Sequence, residues 1–141
     1  MKKFAILCVS LSTLALTACV SQEQADEKMI TGCKAAIGAM IGPTRTIKEV
    51  KASSGEDEKT MGSIYRRIKL SYTEAEDFAE VVKEGSCRFS PQWGTFKSTH
   101  AALLEQVVYN DKLIGKKDGN IEGDMNDFMK LNEKVDAAMA Q

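Results

Sequence analysis

The sequence predicts an α+β domain spanning residues 25–141: an N-terminal helix, a three- to four-stranded antiparallel sheet and a C-terminal helix. Two patterns carry that prediction. Apolar residues recur every three or four positions in residues 25–41 and again in 124–140, the spacing of helices with one buried side. Between them, residues 64–72 and 81–89 alternate apolar and polar side chains, the period of strands with one buried face. Two helices bracketing such strands bury their apolar stripes by packing on one face of the sheet.

Ahead of the first helix the chain reads in three parts. Lys2 and Lys3 are the only charged side chains among the first 18 residues. Residues 4–16 form an uncharged apolar run. As a helix it would rise about 20 Å, against a hydrocarbon core of about 30 Å. That suits an export signal better than a permanent span. The other reading, a buried core helix, must explain a run without a polar face. Leu16-Thr17-Ala18-Cys19 then gives an aliphatic residue, two small ones and a cysteine. This resembles the lipobox of bacterial lipoproteins, a likeness confined to the first 19 residues. It implies a signal peptide over residues 1–18 and a mature protein beginning at Cys19. In that family the sulfur of such a cysteine carries diacylglycerol, and its amino group usually carries a further acyl chain such as palmitate. At about 0.8 kcal/mol per buried methylene, such a lipid anchor holds the chain to the membrane almost permanently. Val20 stands where the family's inner-membrane retention signal usually has Asp. The resemblance therefore implies the outer membrane, with the domain facing the periplasm. Residues 19–24 are expected to form a short tether; Val20 to Gln24 fully extended reach about 17 Å.

The elements follow in order. In residues 25–41, Ile30, Cys33, Ile37 and Met40 share a stripe, Asp26 and Glu27 sit near the positive helix start, and Gly42-Pro43 ends the run. Residues 46–52 give a weaker strand pattern, followed by a polar segment, SSGEDEK, that reads as a turn. Next, Ile64, Ile68, Leu70 and Tyr72 alternate with Tyr65, Arg67, Lys69 and Ser71, while Arg66 interrupts the apolar side near its edge. Acids at 74–77 read as a loop. Val81, Gly85, Cys87 and Phe89 then lie on one side of another strand. Residues 103–109 admit two readings: a helix capped by Thr99, or, in the preferred reading, a strand running into an Asn110-Asp111 turn. Finally Met125, Phe128, Leu131 or Asn132, Val135 and Met139 step along one helix face. The segments CKAAI and SY together with a later strand cysteine, over residues 32–89, are similar to small exported proteobacterial proteins without an assigned activity. That similarity implies no chemistry.

Four cysteines remain to be sorted. With Cys8 in the implied signal and Cys19 implied to be acylated, Cys33 and Cys87 form an even pair in an exported chain, where disulfides persist. A bridge closing 54 residues would stabilise the domain by about 4 kcal/mol on the chain-entropy model. Two free thiols or a redox pair are the alternatives; no C-x-x-C spacing supports the second.

Composition excludes several function classes. The 19 basic and 20 acidic residues, less the two signal lysines, leave a net of −3 and no basic stripe for nucleic acid. His100 is the single histidine, without a spare thiol or a second histidine from which to build a triad. No Gly-rich phosphate loop or H-E-x-x-H motif occurs. The acids at 56–58 and 74–77 lie in turn-like segments where charge is solvated. No enzyme activity and no cofactor are therefore expected.

Two segments invite a binding role. In DGNIEGDMNDFM, Asp118, Asn120 and Glu122 match a calcium loop, with Gly123 at the sharp turn. Its twelfth position is Met129 instead of the bidentate glutamate, so as a metal site it is weak at best. The alternative is a glycine turn leading into a helix capped by Asp124. In RFSPQWGTF, the side chains of Arg88, Trp93 and Phe96 are the kinds that anchor interfaces; alternatively Trp93 folds back to close one end of the sheet. The expected function is a membrane-anchored lipoprotein that engages an envelope protein through a sheet edge or this aromatic loop. An inhibitor or immunity-type lipoprotein acting against a wall hydrolase or toxin is the second reading, and a simple packing role in the envelope the third.

Overall fold

The computed structural model describes residues 19–76 and 79–141. The expected signal peptide, including Leu16-Thr17-Ala18, lies outside the described residues. The elements run α1 (Gln22–Ile41), β1 (Arg45–Thr60), β2 (Ser63–Glu76), β3 (Ala79–Trp93), a 3₁₀ turn (Thr95–Lys97), β4 (His100–Tyr109), β5 (Lys112–Lys117), β6 (Asn120–Glu122) and α2 (Met125–Met139). The α+β class and both helices are as expected. The sheet is larger: among the described residues it has six strands, all antiparallel, in the order β1-β2-β3-β4-β5-β6.

Helix α1 starts at Gln22, earlier than the periodicity suggested. The Ser21 hydroxyl accepts from the Gln24 backbone N–H at 3.1 Å, and the Gln24 side chain accepts from the Ser21 N–H at 2.9 Å. This reciprocal capping satisfies donors that a helix start otherwise leaves open. The tether expected over residues 19–24 thus shrinks to Val20 and Ser21. Gly42, at φ 91°, and Pro43 end the helix as expected.

Residues 53–59 do not turn. They belong to β1, and the chain reverses at Met61-Gly62, between paired residues Thr60 and Ser63. Both turn residues have positive φ, 49° and 81°, the left-handed conformation that matches the twist of a two-residue hairpin. Similarly, β2 continues through the acids to Glu76. Asn110-Asp111 and Asp118-Gly119 make two further two-residue turns with positive φ. The last of these falls inside the calcium-like segment, so Asp118 and Asn120 serve a hairpin.

Residues 103–109 are strand, in β4. A register shift opposite Arg88 and Phe89 leaves Glu105 as an extra residue between Leu104 and Gln106. Its carbonyl presses on β5: a Cβ added at Gly115, where φ is 123°, would lie 2.3 Å from the Glu105 oxygen. Only glycine fits there.

One core joins the elements. Met29, Cys33 and Ile37 of α1 meet Ile68, Leu70 and Tyr72 of β2, Cys87 and Phe89 of β3, Val107 of β4 and Val135 of α2, all essentially excluded from water. Each such apolar side chain contributes about 1.5–3 kcal/mol on burial. The Cys33–Cys87 disulfide spans 5.6 Å between Cα atoms and ties α1 to β3 within this core. Helix α2 starts from Asp124, whose carboxylate accepts from the Asn126 and Asp127 N–H groups at 2.8 and 3.1 Å. It closes on α1 at Gly32, where an added Cβ would stand 2.9 to 3.1 Å from side-chain atoms of Met139 and Val135.

Candidate functional site at the Cys19 end of the sheet

The hairpin tip at Met61-Gly62, the β3–β4 turn and the start of α1 lie at one end of the sheet, because Arg66 pairs with Phe89 and Trp93 pairs with His100. The Val20 N–H donates to the Lys97 carbonyl at 2.8 Å, fixing the chain next to Cys19 against that turn. Cys19 is exposed with a free thiol. Arg66 fixes the start of α1 from the other side: Nε and Nη2 donate to the two Asp26 carboxylate oxygens at 2.9 and 2.6 Å, and Nη1 donates to Asp57 at 2.9 Å. Gly55 makes room, since a Cβ there would stand 2.8 Å from the Asp26 carboxylate. Burial pushes the Asp26 carboxyl up, but its bonds from Arg66 and Gln22 outweigh that and hold it below the ordinary range.

The three residues expected to act as interface anchors do not lie on one face. Trp93 is partly buried against the core, with its ring centroid 4.4 Å from that of His100 and Lys97 Nζ 5.3 Å above it. His100 carries a buried Nε2 without a partner, and burial, then Lys28, lower its pKa against the pull of Asp26. Phe96 points away from the fold and is 91% exposed. It and Lys97 adopt φ 55° and 56°, a left-handed conformation that costs non-glycine residues free energy. The turn is held by Gly94 N–H to Thr99 O at 2.9 Å and Lys97 N–H to Gly94 O at 3.0 Å.

Arg88 lies on the opposite face of the sheet, inside a belt of polar side chains crossing five strands. Glu58 of β1 accepts from Arg67 Nε of β2 and, at 3.3 Å, from Arg88 Nη1 of β3. Arg67 also donates to Gln106 of β4 at 3.3 Å, and both Gln106 and Arg88 donate to the Lys116 carbonyl of β5, at 3.1 and 2.7 Å. The Arg88 guanidinium sits 4.8 Å over the Tyr65 ring and leaves its side chain only 12% exposed. The bond from Arg67 is the main reason the Glu58 carboxyl stays below its ordinary range. Beside the belt lies an open trough of about 460 Å³, in which Ser53, Ser54, Lys69, Ser71, Glu84 and Ser86 alternate with apolar Ala52, Leu70 and Val108.

A second polar cluster lies at the far end, on the helix-covered face. Glu74 is 4% exposed; it accepts from the Tyr109 hydroxyl at 2.9 Å, from Arg45 at 3.2 Å and from Lys83 at 3.5 Å. Burial raises its pKa, and these donors more than reverse that, leaving it below the carboxylate range. The neighbouring Tyr72 hydroxyl is buried without a partner, and burial drives its pKa up.

Among the described residues no group of three or more His, Cys, Asp and Glu side chains is arranged to hold a metal ion. Asp118 sits in the β5–β6 turn, Asn120 pairs with Lys117 across that turn, and Glu122 pairs with the Lys117 ammonium at 3.6 Å. Among the described helices none is long and apolar enough to cross a membrane. Sequence reasoning missed the belt and the Glu74 cluster, whose partners lie far apart along the chain. It also missed Met61; the Gly62 beside it was the available signal.

Fold and surfaces together define a class: a disulfide-pinned antiparallel meander, covered on one face by two helices and braced on the other by charge pairs. Comparison with family models, curated proteins and solved structures gave no match for this chain.

Proposed function

We propose that this protein is a lipid-anchored lipoprotein of the bacterial cell envelope, held at the outer membrane facing the periplasm, and that it works as a binding module for another envelope protein. The observation that carries the reading is Cys19. It closes an apolar segment with the lipobox pattern, and it is exposed three residues ahead of the first helix. The Cys33–Cys87 bridge supports export, since such bonds persist in oxidising compartments. With Trp93 packed inward and Arg88 tied into the belt, the trough is the surface left for the partner, with apolar Ala52, Leu70 and Val108 set among its serines and Lys69 already paired with Glu56 at 2.6 Å.

Cells fed radioactive palmitate test the attachment: a labelled band that disappears in Cys19→Ala is expected, and an unlabelled wild-type band overturns the reading. Photo-crosslinkers placed at Ser54 and Ser86 test the module. They should capture an envelope protein that a crosslinker at Asp136 does not. Capture only after challenge with a wall hydrolase or toxin would replace the resident partner with an inhibitor role.

A further inference from the structure

Phe96 is an odd product of folding. The fold spends two consecutive left-handed residues to hold a phenylalanine in water, in a turn already closed by its own backbone bonds. A scattered exposed apolar residue needs no explanation. Here, however, Met61 is 94% exposed and Ile64 56% exposed at the adjoining hairpin, on the end of the sheet from which Cys19 leaves. The far end exposes Val81 and Val82 but has no link to Cys19.

Resting on the lipoprotein reading, we infer that the β3–β4 turn is a second, non-covalent membrane contact: Phe96 enters the boundary between lipid headgroups and acyl chains beside the acylated Cys19. The Val20–Lys97 bond holds the turn beside Cys19, and so beside the surface to which acylation would tie that residue. Two residues separate Cys19 from the helix, about 7 Å of chain, so the turn bonded to Val20 cannot stand far from the surface. An aromatic ring beside a lysine suits that depth, with the ring among the upper methylenes and the ammonium among phosphates. Met61, at the neighbouring tip, would rest on the same surface. One acyl attachment leaves a domain free to swivel; a side chain inserted beside it fixes which way the sheet faces.

The test uses the full lipidated protein in vesicles of phosphatidylethanolamine and phosphatidylglycerol with brominated acyl chains. Phe96→Cys and, as control, Val82→Cys are each labelled with an environment-sensitive dye; both positions are exposed, so neither change disturbs packing. Quenching at position 96 should exceed that at 82 by about twofold or more, as expected for a probe below the headgroups. Equal quenching at both positions in protein whose mass confirms acyl chains on Cys19 overturns the turn contact alone. Absence of acyl mass on Cys19 overturns the lipoprotein reading and the contact with it.

Discussion

Strands β2, β3 and β4 present two different materials on their two sides. Toward the helices they offer Ile68, Leu70, Tyr72, Cys87, Phe89 and Val107, dry and closely packed. On the other side the alternate residues Arg67, Arg88 and Gln106 reach across strands to Glu58 and the Lys116 carbonyl. The dry face removes apolar area from water and supplies most of the folding free energy. Partly exposed charge pairs supply little of it, but they form only in one register. A one-residue slip would exchange the two sets of side chains completely. One face thus fixes how firmly the domain folds, and the other fixes which pairing it folds into.

Four measurements would break or sharpen this contrast. Replacing both Cys33 and Cys87 by alanine should have the largest effect, about 4 kcal/mol in urea unfolding; a loss near zero would mean that the bridge does not constrain the unfolded chain. Phe89→Ala on the dry face should cost about 3 kcal/mol in the same assay. Glu74→Gln leaves Arg45 and Lys83 facing an uncharged amide and should cost about 1–2 kcal/mol at pH 7. The pH dependence gives its sign. Because the folded pKa of Glu74 lies below its ordinary 4.5, the carboxylate's contribution is complete above pH 4.5 and disappears as pH falls toward the folded value. The Gln variant should accordingly lose stability less steeply below pH 4.5 than the parent, with Asp26 and Glu58 accounting for the slope that remains. The smallest effect belongs to the belt. Arg67→Ala should cost about 1 kcal/mol or less, and raising the salt concentration should shrink it. A loss comparable to that of Phe89→Ala would erase the distinction between the faces.

Much of the fold was legible because it is written locally. Helix α2 was readable from its stripe and Asp124, and the Cys33–Cys87 bridge from cysteine counting combined with the expectation of export. What misled was local too. In β4 the inward residues Ala102, Leu104, Val107 and Tyr109 are spaced two, three and two apart, because Glu105 bulges out. A spacing of three inside a strand imitates a helix. SSGEDEK looked like a turn because β1 is the sheet's edge, with solvent at most of its side chains, and an edge strand tolerates charges that also discourage pairing with other chains. The surface was the least legible part. Arg88 looked like a free anchor, yet its partners lie 30 and 28 residues away at Glu58 and Lys116. Tyr109 finds Glu74 from 35 residues away. Pairings of that range depend on the register of several strands at once, which no short window contains.

The uncrossed order of the sheet has a consequence for the timing of assembly. Every strand pairs with its neighbour in sequence, so as the chain emerges the hairpins can close one after another without long loops. The helices follow the opposite schedule: α1 emerges first, yet its Gly32 waits for Met139 and Val135, more than 100 residues further on. Until the last 15-residue helix arrives, part of the core stands unroofed. A chain stopped at Gly123 would hold all six strands and still present that opening to any chaperone or protease it met.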